Sequence, residues 1–124
     1  NTYEMEFCNA GHNPIVIIDP DGKAEYLHAK ANIAAGLFGG FPYAGEKRQL
    51  SKGSRLIVYT DGVSEAETKE KVLFGEDRLL AFADGKLADS TSGTIVDGLL
   101  NSVRAFTDGN EQNDDITIMS VLLK

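Results

Sequence analysis

The 124-residue sequence carries 12 basic and 19 acidic side chains, for a formal net charge of −7, and its 42% apolar and 25% charged residues are those of an ordinary globular protein. That charge repels a phosphate backbone, which argues against nucleic-acid binding, and no apolar run approaches the ~18 to 20 residues that a membrane-spanning helix requires. The length allows one domain or part of one, and the lone Cys8 forms no internal disulfide, which fits a reducing compartment and an expected cytoplasmic location.

Thr2 to Phe7 alternates Tyr3, Met5 and Phe7 with Thr2, Glu4 and Glu6, the period-two pattern of a strand with one wet face. A domain that opens directly in such a strand is expected to have been cut from a longer one. Cys8 to Pro14 reads as a polar connection, Ile15 to Ile18 as a second strand, and Asp19-Pro20-Asp21-Gly22 as a turn. The turn also looks like the start of a calcium loop, but Lys23 and Ala24 stand where an oxygen ligand and a glycine are needed, so that reading is rejected. Lys23 to His28 is expected to complete a hairpin with the Ile15 strand. Residues 32–43 are rich in small side chains and read as a surface loop near the site; the spacing of Gly36, Gly39 and Gly40 matches neither a dinucleotide fingerprint nor a P-loop. Glu46 to Leu50 reads as an edge strand, Ser51 to Ser54 as a tight turn, and Arg55 to Thr60 as the antiparallel partner of that edge strand.

Leu56 to Tyr59 is an unbroken, β-favouring apolar run, the pattern of a strand buried on both faces, and it stops at Thr60-Asp61-Gly62. A buried strand thus delivers a carboxylate to its own end. Gly62 is expected to turn the chain through a backbone conformation that other residues avoid, leaving Asp61 pointing from the rim of a sheet. Alone, an Asp-Gly pair is ordinary turn punctuation. Ser64 to Lys71 is highly charged and reads as a solvated helix or flap. Phe74 to Phe82 reads as a short helix with Glu76 and Asp77 favouring its N-terminal dipole. After a polar connection over Asp84 to Ser92, Thr94 to Phe106 places Ile95, Val96, Leu99, Leu100, Val103 and Phe106 at offsets of three and four, one apolar stripe of a core-facing helix capped by Ser92 or Thr94. Asp108 to Asp115 is a polar loop running into an apolar strand, Ile116 to Leu123. If that strand pairs antiparallel with the Arg55 strand, Asp61 and Asp114 meet at one rim, where like charges raise one another's pKa unless a cation lies between them.

Four segments taken in order, Asn9-Ala10-Gly11-His12-Asn13-Pro14, Tyr59-Thr60-Asp61-Gly62-Val63-Ser64-Glu65-Ala66, Phe74-Gly75-Glu76-Asp77-Arg78-Leu79 and Gln112-Asn113-Asp114-Asp115-Ile116-Thr117, resemble the SpoIIE-like branch of the metal-dependent (PPM-type) protein serine/threonine phosphatases. The match runs from end to end of this chain. It does not span the whole family domain. The resemblance implies an α+β fold, the C-terminal portion of an α-β-β-α sandwich of antiparallel sheets flanked by helices. It implies a binuclear manganese or magnesium centre with Asp61 and Asp114 as ligands, and Gly62, Asp115, Glu65, Asn9 and His12 as groups supporting the site. The family's earlier acidic motifs, an aspartate in a first strand and an Asp-Gly followed by Gly-His, have no counterpart here. Residues 1–124 are therefore expected to form one partial domain carrying half of a metal centre, inactive and prone to self-association by itself.

By the same resemblance, a metal-activated water attacks phosphoserine or phosphothreonine without a phosphoenzyme intermediate, and the substrate is a phosphorylated anti-sigma factor antagonist in bacterial partner-switching signalling. The competing reading is a degenerate, non-catalytic interaction module. Retention of Asp61 and Asp114 argues against it.

Overall fold

Ile15–Ile18 carries apolar side chains on both faces, and the fold uses both. The computed structural model describes residues 2–7, 13–27, 46–85, 87–112 and 114–124. Among these the order is β1 (Thr2–Phe7), β2 (Ile15–Ile18), β3 (Ala24–Leu27), β4 (Glu46–Ser51), β5 (Arg55–Tyr59), α1 (Asp61–Ser64), α2 (Gly75–Ala83), α3 (Ser92–Thr107) and β6 (Ile118–Leu122). A four-stranded antiparallel sheet runs β3-β2-β5-β6, and a two-stranded antiparallel sheet joins β1 to β4.

Strand alternation sends successive side chains to opposite faces, and here each face has its own cover. Val16 and Ile18 of β2, Ala24 of β3, and Ile57 and Tyr59 of β5 pack with Leu79 and Ala83 of α2 and Ile95, Leu99 and Val103 of α3. Ile17, Leu27 and Leu56 pack the other way, with Leu50 of β4 and Met5 of β1. The layers are thus helix, sheet, sheet. Each fully buried Leu or Ile in such a core is worth about 1.5–3 kcal/mol relative to exposure, so the two clusters rather than local propensity hold the layers together. Beyond them β6 forms an edge of the larger sheet, and Met119, on the same face as Val121, is 52% exposed.

The hairpin of β2 with β3 and the helix over residues 74–82 form where the pattern places them. The expected pairing of Glu46–Leu50 with Arg55–Thr60 does not form. The turn between them exists, with Ser54 N donating to Ser51 O at 3.0 Å and Gly53 at φ 89°. Its flanking groups are engaged elsewhere: Gly53 N donates to Leu123 O at 2.6 Å and Leu123 N to Ser54 O at 3.0 Å. The turn therefore hands the chain from one sheet to the other, and β5, buried on both faces, takes β2 and β6 as its two neighbours. Arg55 is buried at this crossing and donates through Nε to Ser90 O at 3.0 Å and through Nη1 to Gly53 O at 3.2 Å, which pins the connection after α2 to the sheet.

The cap of α3 also differs from expectation. Thr91, one residue before the first expected cap, accepts from Thr94 N at 3.1 Å through its hydroxyl. The stretch 64–71 is not a helix beyond Ser64. Glu67 bridges Leu73 in antiparallel fashion and Thr68 N donates to Val72 O at 2.9 Å, closing a short loop. The last strand begins at Ile118 rather than Ile116, because residues 114–117 are drawn onto the end of β5. No helix among the described residues is long and apolar enough to cross a membrane. The loop expected over residues 32–43 lies outside the described residues.

Candidate metal centre

The site is built where β5 stops. Thr60 is extended at φ −103° and ψ 171°, and its hydroxyl makes no cap bond to the helix that follows. Instead Thr60 Oγ1 donates to Asp115 O at 3.0 Å and accepts from Thr117 N at 3.0 Å, while Thr60 N donates to Thr117 O at 3.1 Å. These three bonds carry the β5–β6 pairing one step beyond the ladder and fasten the lead-in of β6 against α1. Gly62 makes the approach possible. A Cβ at Gly62 would stand 2.2 Å from Asp115 O and 3.0 Å from Asp114 O, both backbone atoms. The glycine is thus required by close packing and not, as the sequence led us to expect, by a left-handed backbone, which it does not adopt. Val63, fully buried in the helix-side core, anchors the other side of the turn.

Asp61 and Glu65 are four apart across this single turn, and Glu65 N donates to Asp61 O at 2.8 Å, so both side chains leave the same face. Asp114 comes from the lead-in of β6. One ligand oxygen from each of Asp61, Glu65 and Asp114 lies within 4.8 Å of the others, and all three residues are exposed. Oxygens bound to one octahedral magnesium ion at ~2.1 Å stand about 3.0 Å apart when adjacent and about 4.2 Å when opposite, so the trio must draw together by up to about 1.8 Å, within reach of exposed side chains, to hold a hard divalent cation. The all-oxygen donor set fits such an ion. Asp61 Oδ1 accepts from Asn13 Nδ2 at 2.8 Å, and Asp114 Oδ1 accepts from Asp115 N at 2.8 Å. Behind them, burial and the nearby carboxylates of Glu76 and Asp61 push the Tyr59 phenol up to about 12, so it stays neutral at physiological pH.

A cavity of about 350 Å³ opens beside the trio, with Ala66, Val103 and Ile116 on its apolar side and Arg104 and Asn110 on its polar side. Asn110 Nδ2 donates to Glu67 O at 2.9 Å and Phe74 N to Ala66 O at 2.6 Å, which ties down the loop that follows Glu65. The Phe74–Leu79 segment packs against the end of α3. Phe74 meets Phe106 edge to face at 5.5 Å, and the Arg78 guanidinium sits 4.5 Å over the same ring.

Of the residues picked out from the sequence, Asp61 and Asp114 are brought together from segments fifty residues apart, and Glu65, expected only to support the site, stands with them. Its i,i+4 offset from Asp61 was the available signal. Asp115 contributes through its backbone carbonyl and N–H, while its carboxylate is not one of the trio. Asn9 and His12 lie outside the described residues. Asn13 was overlooked, since an asparagine before a proline reads as loop punctuation.

A two-sheet stack with helices on one outer face and carboxylates at the end of a central strand defines a class of protein, that of the PP2C phosphatase fold. The PP2C domain of the cell-fate determinant SpoIIE from Bacillus subtilis, solved with a fragment of its regulatory domain, matches with a TM-score of 0.77 and 23% identity over 94% of this chain and 34% of that one. The chain belongs to the SpoIIE family: the model of Stage II sporulation protein E matches residues 1–124. It is also similar to Protein IcfG of Synechocystis, at 30% identity over 117 residues, and to the phosphoserine phosphatase RsbP of Bacillus subtilis, at 28% over 120 residues. These matches cover 94% and 97% of this chain but only 18% and 28% of the two relatives.

Proposed function

We propose that this chain is the C-terminal part of a metal-dependent protein serine/threonine phosphatase domain, working in the cytoplasm, in which Asp61, Glu65 and Asp114 hold divalent cations. The observation that carries the reading is the convergence of these three carboxylates, from two distant segments, at one rim of the sheet. Clustered carboxylates offer a divalent cation several oxygens at once, and oxygen donors suit manganese or magnesium. Such a binuclear centre, when bound, lowers the pKa of water and neutralises charge on a transferring phosphoryl group. This chain's own contribution is to fix the carboxylates: Thr60 and Gly62 lock their two segments together, and the cavity beside them offers space for a substrate segment. The substrate class is a phosphoserine or phosphothreonine protein. RsbP is named a phosphoserine phosphatase, and with the resemblance to partner-switching phosphatases this favours a phosphorylated anti-sigma factor antagonist.

Three carboxylates fall short of the roughly six oxygen ligands that each hard cation takes. The 124 residues alone are therefore expected to hydrolyse a phosphoserine peptide only feebly in excess manganese, with turnover rising when a segment carrying the missing Asp-Gly motif is added back, and vanishing with chelator. Vigorous hydrolysis by the 124 residues alone, or chelator-resistant hydrolysis by the complemented pair, would sink the proposal.

The same piece is expected to self-associate. Among the described residues β6 pairs on one side only, with β5, and its Met119 is exposed. Light scattering across a wide concentration range checks this, and a monomer throughout contradicts it.

A further inference from the structure

The register of the larger sheet places a second lead-in segment at the carboxylate rim. β2 pairs with β5 as Val16↔Ile57, so continuing the register backward brings Asn13 beside Thr60, one residue from Asp61. Asp61 is therefore flanked on one side by the approach to β6, which supplies Asp114, and on the other by the approach to β2, which supplies Asn13. Pro14 restricts the backbone of Asn13 to extended conformations, so the side chain is presented before any ligand arrives. The amide then donates from Nδ2 to Asp61 Oδ1 at 2.8 Å across a sequence separation of 48 residues.

We infer that Asn13 is a positioning residue for the cation site: it holds one oxygen of Asp61 and turns the other toward Glu65 and Asp114. The inference rests on the metal-dependent reading proposed above. The chemistry explains why the partner is an amide. A lysine or arginine at this place would neutralise Asp61 and compete with the cation, whereas a neutral donor fixes the carboxylate's rotation and leaves its charge available. It also gives the Asn-Pro step a part at the site that composition alone does not announce. Groups that orient a metal-binding side chain in this way typically matter by about 10- to 100-fold in metal affinity, while contributing little to the fold.

The experiment compares the parent protein with Asn13→Ala and Asp61→Asn, measuring manganese affinity by calorimetry or by the loss of the free-ion electron paramagnetic resonance signal, and thermal stability in chelator. Asn13→Ala is expected to weaken manganese binding about 10-fold with an unchanged midpoint in chelator. Asp61→Asn reports on the site itself. Manganese binding that Asp61→Asn weakens but Asn13→Ala leaves intact overturns the inference and spares the metal reading. An Asn13→Ala loss of affinity matched by an equal loss of stability in chelator assigns Asn13 a merely structural role, and also overturns it. Manganese affinity unaffected by Asp61→Asn, or absent from the parent protein, overturns both.

Discussion

Asp61→Asn and Asp114→Asn in the parent protein are each expected to lower manganese-dependent hydrolysis of a phosphoserine substrate by roughly 100-fold or more at subsaturating metal, because a group that merely orients a ligand is already worth about 10- to 100-fold. Each change removes a charge but keeps the shape of the side chain, and the amide that replaces the Asp61 carboxylate retains a carbonyl oxygen able to accept from Asn13. The fold has no reason to suffer. In chelator the thermal midpoint should hold or rise slightly, since one of three mutually repelling carboxylates is gone. Glu65→Gln should behave in the same sense, as its side chain belongs to the same trio. Asp115→Asn is the contrasting case. Asp115 works through its backbone, accepting from Thr60 and donating to Asp114, and both bonds survive the change. It should lose no more than a few-fold. Equal losses at positions 114 and 115, or near-normal turnover in Asp61→Asn at low manganese, would show that the carboxylates are not the cation's ligands.

How far this site could be read from the chain depended on which scale of information each residue carries. Period-two alternation found β1 and the apolar run found β5, because both are local patterns with one consequence. The stripe from Ile95 to Phe106 found α3 for the same reason, but its cap fell within Thr91-Ser92-Gly93-Thr94, where three hydroxyls compete and only the path of the incoming chain decides. Partner choice was not local at all. Ser51–Ser54 is a sound turn whether the strands around it pair or part, and what separates β4 from β5 is the engagement of Gly53 and Ser54 with Leu123, seventy residues away. The meeting of Asp61 with Asp114 was legible because it needed only an antiparallel neighbour and two strand ends. Asn13 needed in addition the register of β2 on β5, which nothing in residues 13–18 encodes by itself.

Among the described glycines, Gly62→Ala is expected to be the most damaging alanine substitution. The added Cβ would lie 2.2 Å from Asp115 O, 2.7 Å from Asp115 C and 3.0 Å from Asp114 O. All three are backbone atoms, so no side chain can swing aside, and α1 must part from residues 114–117. Parting them strains or breaks the bonds from Thr60 to Asp115 and Thr117. Overpacking costs about 1–3 kcal/mol and each of the two lost hydrogen bonds about 1 kcal/mol, for a total of about 3–5 kcal/mol, which for a domain of this size lowers the thermal midpoint by roughly 10–20 °C. The site should fail beyond that loss, because the strain falls on the contact that brings Asp114 to Asp61. Gly93→Ala provides the comparison within the same chain. Nothing lies within 4 Å of a Cβ at Gly93, which sits in the first turn of α3, so alanine there should be neutral or stabilising by a few tenths of a kcal/mol through helix propensity. Calorimetry of the two variants, with manganese affinity measured alongside, separates a clash at the rim from a general intolerance of alanine. A Gly62→Ala protein that melts with Gly93→Ala and binds manganese like the parent would mean that α1 and the approach to β6 do not stand this close.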